Sequence, residues 1–431
     1  MRLLISNGRV ICPASGLDGV ADVLIEDGLI VGVGPGLPAS GAQRIDAGGR
    51  VVAPGFIDLH VHLREPGFEH AETIERGARA AAAGGFASIC CMPNTSPVND
   101  SATVTSYIVE RARRDAIVNV LPIGAITKGS KGEELAAISS MIAAGAVAIS
   151  DDGRPVMNSR VMRRAMETAS GLDIPLIDHC EDLNLSADGD MHEGLDSVRL
   201  GVPGIPSAAE DVMVARDILL AELTGARYHV AHISTRHAAQ MVAFAKQRGL
   251  AVTAEATPHH IALHTGLMTP YDSNFKMKPP LRCDYDAEAV IEGIVTGAIG
   301  AIATDHAPHA GDDKMQEFEK CPFGIIGLET ALAICLDVLV HSGRISLSKL
   351  VELFATEPAR IIGRSGQPLR GALKPGYAGD VTIFDTQSEW TYDVNRSHSK
   401  SKNSPFHGRT FRGGPVATIV AGHVVWPPEA N

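Results

Sequence analysis

Apolar residues in this chain come in short runs, and the runs change character along its length. Over residues 1–52 they are brief and broken by turn pairs. Leu3-Leu4-Ile5 leads to Asn7-Gly8 and then Val10-Ile11, while residues 21–25 meet Glu26-Asp27-Gly28 and then residues 29–33. Apolar runs flanking Asn-Gly and Asp-Gly predict hairpins. The same character returns after residue 366. Residues 380–384 and 417–425 read as strands, with Pro375-Gly376 and Gly413-Gly414 as punctuation. We therefore expect residues 1–52 and 366–431 to form one small composite β-sandwich domain.

Between them, over residues 53–365, strand-like runs alternate with helical stretches. The candidate strands are residues 51–59, 87–92, 118–123, 146–150, 175–178, 228–231, 251–254 and 298–303. Residues 73–83 and 208–223 carry helical spacing. Eight such repeats predict an α/β fold, a closed (β/α)₈ TIM-like barrel. An open doubly wound sheet is the alternative, but its glycine fingerprint is missing. Two polar segments, 186–194 and 310–320, are candidate lids or solvated loops.

Composition narrows the class. With 45% hydrophobic and 20% charged residues, the chain reads as a soluble globular protein. A net charge of -12 argues against nucleic acid or a membrane surface as the main partner. The seven scattered cysteines include no CxxC pair, as expected of reduced thiols in a cytoplasmic protein. The apolar stretch at residues 1–5 is too short for a signal peptide, and no run approaches the roughly 20 residues of a membrane span.

Candidate chemistry sits at the ends of the central runs. His60 and His62 share one face of a strand, because side chains alternate with period two. Asp152, His179, His232 and Asp305 each follow another run. Chemistry in such barrels lies at C-terminal strand ends. Four imidazoles and two carboxylates exceed one tetrahedral ion and fit two borderline ions such as zinc. His60, His62 and Asp305 would take one and His179 and His232 the other, with Asp152 bridging. Such ions make hydroxide available near neutral pH and polarise a carbonyl. Asp305 is placed to shuttle a proton from that nucleophile to a leaving nitrogen. The chemistry is hydrolysis of an amide-like bond, or its reverse.

Other residues suit substrate. Arg64, two residues past His62, lies on the same face of an extended segment and would bind a carboxylate in fork geometry. Asn94 offers a donor and an acceptor, and His309 reaches the pocket from four residues past Asp305. Pro322-Phe323-Gly324 would present backbone groups to a planar ring. Glu255, His259 and His260 are either ligand-orienting groups or rim structure. Cys180 points away from His179 and reads as packing.

These motifs together resemble the dihydroorotases of the amidohydrolase superfamily, over essentially the whole chain. Asp58-Leu59-His60-Val61-His62-Leu63-Arg64-Glu65-Pro66 is similar to their first signature, and Ala303-Thr304-Asp305-His306-Ala307-Pro308-His309 with Lys314 to their second. Cys91-Met92-Pro93-Asn94-Thr95, Pro279-Pro280-Leu281-Arg282, Pro322-Phe323-Gly324 and Ser401-Lys402-Asn403-Ser404-Pro405-Phe406 match further segments. The resemblance implies a zinc enzyme, with two ions per subunit. Its reaction is reversible cyclisation of N-carbamoyl-L-aspartate to (S)-dihydroorotate plus water, the third step of pyrimidine synthesis. It maps His60, His62, Asp152, His179, His232 and Asp305 as metal ligands, and Asp305 as general acid/base. It maps His62, Arg64, Asn94, His309, Phe323 and Gly324 as substrate contacts. Many amidohydrolases bridge their metals with a strand-four lysine; here Asp151-Asp152-Gly153 follows a strand without one. That resembles the bacterial Asp-bridged branch and argues against hydantoinase, dihydropyrimidinase or allantoinase. The family pattern favours Asp152 over Asp151. Lys278 stands where the family often has a substrate-contacting Asn. A homodimer is implied, and aspartate carbamoyltransferase is a candidate partner. The alternatives are another cyclic-amide hydrolase and a non-catalytic scaffold for that transferase, which would be expected to have lost ligands.

Overall fold

The computed structural model describes residues 1–38, 40–363 and 368–427. The chain opens with β1 (Arg2–Cys12), β2 (Leu17–Glu26), β3 (Leu29–Gly34), β4 (Gln43–Asp46) and β5 (Val51–Pro54). It continues through β6 (Phe56–Val61), β7 (Phe86–Cys91), β8 (Asn119–Gly124), β9 (Ala148–Ile149) and β10 (Pro175–Asp178). A short ribbon, β11 (Met191–His192) and β12 (Gly204–Ile205), precedes β13 (Arg227–Val230), β14 (Val252–Ala256) and β15 (Ala301–Ile302). The last strands are β16 (Val381–Thr391), β17 (Thr410–Val420) and β18 (His423–Trp426).

The two chain ends share one eight-stranded sheet in the order β18-β17-β16-β5-β1-β2-β3, with β4 beside β1. The β2–β3 hairpin forms as expected. Asp27 and Gly28 both have positive φ, 47° and 81°, which a type I′ turn requires. Asn7-Gly8, by contrast, is no turn. β1 runs straight through it with a register shift between Ile5 and Gly8. The reason is parity. Leu3 and Ile5 before the bulge, and Val10 and Cys12 after it, bury in one core. An inserted residue swaps which alternate positions face inward. The run 417–425 is likewise two strands, turning at Ala421-Gly422 with φ of 47° and 80°. Gly413-Gly414 lies inside β17.

The middle of the chain forms an eight-stranded parallel sheet in the order β6-β7-β8-β9-β10-β13-β14-β15. Its ring is completed where Val61 bridges His306 and His62 N–H donates to His306 O at 2.8 Å. Both expected helices are present, Ile74–Ala83 under a Thr73 cap and Ala208–Thr224. No helix among the described residues is long and apolar enough to cross a membrane.

The expected first barrel strand, residues 51–59, is in fact two. Val51–Pro54 pairs with β1 and β16 in the terminal sheet, so the crossing falls at Gly55 and not between 52 and 53. A side chain at Gly55 would meet Ala87 Cβ at 2.7 Å and Asp380 Cβ at 2.8 Å, so only glycine lets the chain pass there. The other expected boundary, at 365/366, lies outside the described residues. Phe56 and Phe354 stack at 5.1 Å, and Phe384 of β16 sits 5.9 Å from Phe56, joining the sheet to the barrel base.

Beyond β6, Gly67 takes φ +101° with its Cα against the Ser96 carbonyl. A Cβ there would lie 2.1 Å from Ser96 O. Gly67→Ala is therefore expected to destabilise the fold by about 2–4 kcal/mol. A lowered chemical-denaturation midpoint at unchanged slope would report it.

Candidate active site

Six side chains converge at the C-terminal ends of the barrel strands, all buried. Strand pleating presents His60 and His62, while the others ride the first residues after β9, β10, β13 and β15. Backbone strain aims three site residues, none of them glycine. Arg64, His232 and Asp305 have φ of 60°, 29° and 46°. Arg64 is thus brought in by a left-handed kink, not by an extended segment.

Asp152 Oδ1 lies 3.3 Å from His60 Nε2, 3.6 Å from His232 Nε2 and 3.7 Å from His179 Nδ1. Its Oδ2 is 3.5 Å from His62 Nε2. Asp305 Oδ1 is 3.1 Å from His62 Nε2 and 3.5 Å from His60 Nε2. His179 Nδ1 and His232 Nε2 are 3.0 Å apart. Asp151 faces elsewhere, accepting from Ile126 N, Thr127 N and Thr127 Oγ1. Asp152, and not Asp151, is the aspartate that faces the histidines.

The far side of each ring sets its tautomer. His60 Nδ1 is 3.0 Å from Glu255 Oε1, His62 Nδ1 is 2.8 Å from Asn94 Oδ1, and His179 Nε2 is 2.9 Å from Glu181 Oε2. Each acceptor keeps a proton on that nitrogen, leaving the other nitrogen's lone pair facing the cluster. Lone pairs and carboxylates thus converge with few protons between them. His60 Nε2 and Asp152 Oδ1 are buried and make no hydrogen bond. That donor set fits cations. His60, His62 and Asp305 group as ligands, as do His60, Asp152 and His232.

The carboxylates of the cluster favour positive charge within it. Burial opposes charge on His60, yet Asp152 and Asp305 raise its pKa well above the usual imidazole value. Burial would raise Asp305, but His60 and His62 hold it below the carboxylate range. Glu255, held low by His229 and His60 against burial, also bonds His229 Nε2 at 3.1 Å. Glu255→Gln is expected to weaken metal retention about 10–100-fold, read by competition with a chelator.

Beside the cluster opens a cavity of about 510 Å³, lined by Arg64, Asn94, Lys278, His309, Phe323 and Gly324 among others. Arg64 donates from Nε to Pro308 O at 3.1 Å, and its Nη2 lies 3.2 Å from His309 Nε2. Among the described residues no carboxylate pairs with it. His309 Nε2 is 2.8 Å from Phe323 O, and burial with the Arg64 charge pushes its pKa down to about 3. Lys278 pairs with Glu181 at 2.8 Å and lies over the Phe323 ring.

Two expected substrate groups are already engaged. Asn94 uses its oxygen on His62 and its amide on Asp152 Oδ2 at 3.4 Å, so here it orients ligands. Gly324 N–H donates to Lys276 O, and Gly324 O accepts from Asn403. Cys180 faces away, with Sγ 3.1 Å from Tyr228 Oη. His259 is buried, while His260 bonds Thr257 and Pro279 O. Sequence reasoning missed Glu181 and Asp58. Asp58 Oδ1 accepts from His60 N and Thr304 N, coupling the first and last strands. Each is an acid two residues from a ligand, hence on the ligand's side of an extended chain, and that spacing was the available signal.

The segment 310–320 is anchored. It contains a helical turn, Gly311–Lys314, and Lys314 Nζ donates to Pro322 O and Lys276 O. Burial lowers the Lys314 pKa from 10.5 to about 8. Between those values the unfolded chain binds more protons, so stability rises with pH across the window. The rise is at most about 3 kcal/mol. Lys314→Met is expected to flatten it, as read by denaturation midpoints at either end of the window.

Residues 49–238 match the family model described as dihydro-orotase-like. The chain is 67% identical to the dihydroorotase of Solibacter usitatus (strain Ellin6076), covering 100% of this chain and 99% of that one. It is 52% identical to the dihydroorotase of Geobacter sp. (strain M21), covering 99% of each. Among solved structures it is similar to the L-hydantoinase (dihydropyrimidinase) of Arthrobacter aurescens, with TM-score 0.87 and 26% identity over 98% of this chain and 95% of that one. The dihydropyrimidinase of Brevibacillus agri NCHU1002 shares the fold, with TM-score 0.85 and 24% identity over 99% of this chain and 95% of that one.

Proposed function

From the chain's membership of the dihydroorotase family of cyclic-amide hydrolases, we propose that it interconverts N-carbamoyl-L-aspartate and (S)-dihydroorotate plus water, in pyrimidine synthesis. One observation carries the reading: converging lone pairs and carboxylates beside the half-buried Arg64 guanidinium, which pairs with no carboxylate among the described residues. His60, His62 and Asp305 would hold one zinc ion and His179 and His232 a second, with Asp152 between the two sets. When bound, such ions supply Lewis acidity that activates water and polarises the amide carbonyl.

The chain's own groups do the rest. Arg64 clamps the substrate carboxylate in fork geometry. Lys278 and His309 hold the ring's polar edge, with Phe323 against its face. Asp305 accepts a proton as water adds to the amide carbon, then delivers it to the ring nitrogen as the C–N bond breaks. Cyclisation runs the same path backward. Glu181, Asn94 and Glu255 keep the ligand rings in register.

The test is absorbance-monitored ring opening by metal-replete protein. Dihydroorotate should be preferred over hydantoin and dihydrouracil by at least about 10²-fold in kcat/KM, since only dihydroorotate gives Arg64 a carboxylate. Equal turnover of the neutral rings would point to a hydantoinase-like enzyme; no turnover despite bound zinc would point to the scaffold reading. A homodimer and an association with aspartate carbamoyltransferase belong to the same proposal, and sedimentation with and without the transferase checks both.

A further inference from the structure

Lys276 is buried behind the wall of the substrate cavity, with its side chain 1% exposed. Burying an ammonium is unfavourable unless the charge is paired and its protons are placed. Here all three protons are. Nζ donates to Phe318 O at 2.7 Å and to Glu319 O at 3.1 Å, and it pairs with Asp190 Oδ1 at 2.7 Å. An ammonium has three donors and no acceptor, so none is left for a substrate.

These partners come from two separate segments. Asp190 immediately precedes β11, while Phe318 and Glu319 belong to the 310–320 segment. The Lys276 carbonyl works on the same wall, accepting from Gly324 N–H at 2.9 Å and from Lys314 Nζ at 3.3 Å. Residues 318–324 are thus held by both the side chain and the backbone of one residue. Between those attachments stands Phe323, half-buried, which lines the cavity of about 510 Å³. Its ring centroid lies 4.5 Å from Lys276 Nζ. A cation–π contact is strongest when desolvated, as this one is. Lys278 Nζ lies 5.0 Å from the same centroid, but its side chain is 26% exposed and pairs with Glu181 alone. The Lys278 ammonium is free to turn toward a substrate; that of Lys276 is not.

We infer that Lys276 is a positioning residue for binding of the substrate ring. Its buried ammonium fixes the Phe323 ring, and with it the Phe323-Gly324 backbone, against the cavity, and it touches no substrate itself. The inference rests on the proposed function, which sets Phe323 against the face of the substrate ring. A wall fixed in advance does not have to be ordered when the ring binds. Its contacts to the ring are the same before and during reaction. Loss of the fixture therefore raises KM and leaves kcat in place.

Steady-state kinetics of the metal-replete protein test this through a double-mutant cycle. Lys276→Met should raise KM for dihydroorotate about 10-fold, with kcat within about 3-fold of wild type and metal content unchanged. Phe323→Leu should raise KM by itself. In that background Lys276→Met should add less than about 2-fold, because the two residues act as one unit. Asp190→Asn is the milder perturbation and covers a Lys276→Met protein that does not fold. It keeps an acceptor, removes the counter-charge, and should raise KM about 3-fold in the wild type and not in Phe323→Leu. KM losses that multiply across the cycle, an unchanged KM, or a fall in kcat with metal content overturn the inference. Wild-type protein that does not open dihydroorotate overturns the functional reading and this inference with it. Wild-type turnover with independent effects overturns this inference alone.

Discussion

Asp305→Asn is expected to leave a folded, metal-binding protein whose turnover of dihydroorotate falls by about 10³-fold or more. The substitution preserves volume but removes the carboxylate's charge together with its capacity to accept a proton. Asp305 Oδ1 sits 3.1 Å from His62 Nε2, and the amide can still fill that place. What it cannot do is carry a proton from water to the leaving nitrogen. The loss should fall on kcat with little change in KM, because in the proposed mechanism the group acts in the transition state. Metal content measured on the same sample separates this outcome from loss of a ligand. Retained turnover with full metal content would remove Asp305 from the proton path.

Arg64→Met should lower kcat/KM for dihydroorotate by about 10²-fold, the equivalent of about 3 kcal/mol for a half-buried charge-assisted pair. The guanidinium is held by Pro308 O and packed against His309, with no carboxylate paired to it among the described residues. Under the proposed function it receives the substrate's. Methionine keeps the packing and deletes the charge. Dihydrouracil has no carboxylate, so its slow turnover should be unchanged by the same substitution. Arg64→Lys should recover only part of the loss, since an ammonium cannot reproduce the two-pronged geometry. Equal losses on both substrates would mean that Arg64 supports the fold of the pocket instead.

Much of this site is legible in the sequence. The period-two spacing of His60 and His62, and the placement of Asp152, His179, His232 and Asp305 after apolar runs, are local facts of the chain. Once alternating strands and helices imply a barrel, strand ends become neighbours, and the six groups must meet. Hairpin chemistry at Asp27-Gly28 was equally local. The failures share a cause. Asn7-Gly8 has turn composition, but the residues on either side of it bury in one core, and that demanded a bulge. Residues 51–59 look like one run, but pairing with β16, more than 300 residues away, claims the first half.

The sequence by itself determined the element order, the barrel, and which residues supply the metal-type donors, because backbone periodicity and strand-end position are set by near neighbours. Only the tertiary structure decided how those donors are held. Glu255 reaches His60 across 195 residues, and Asn94 reaches His62 across 32. Asp152 rather than Asp151 turns inward, and Arg64 arrives through a left-handed kink. Hydrogen-bond partners and strained dihedrals depend on what a distant strand places within 3 Å, and no local pattern encodes that distance.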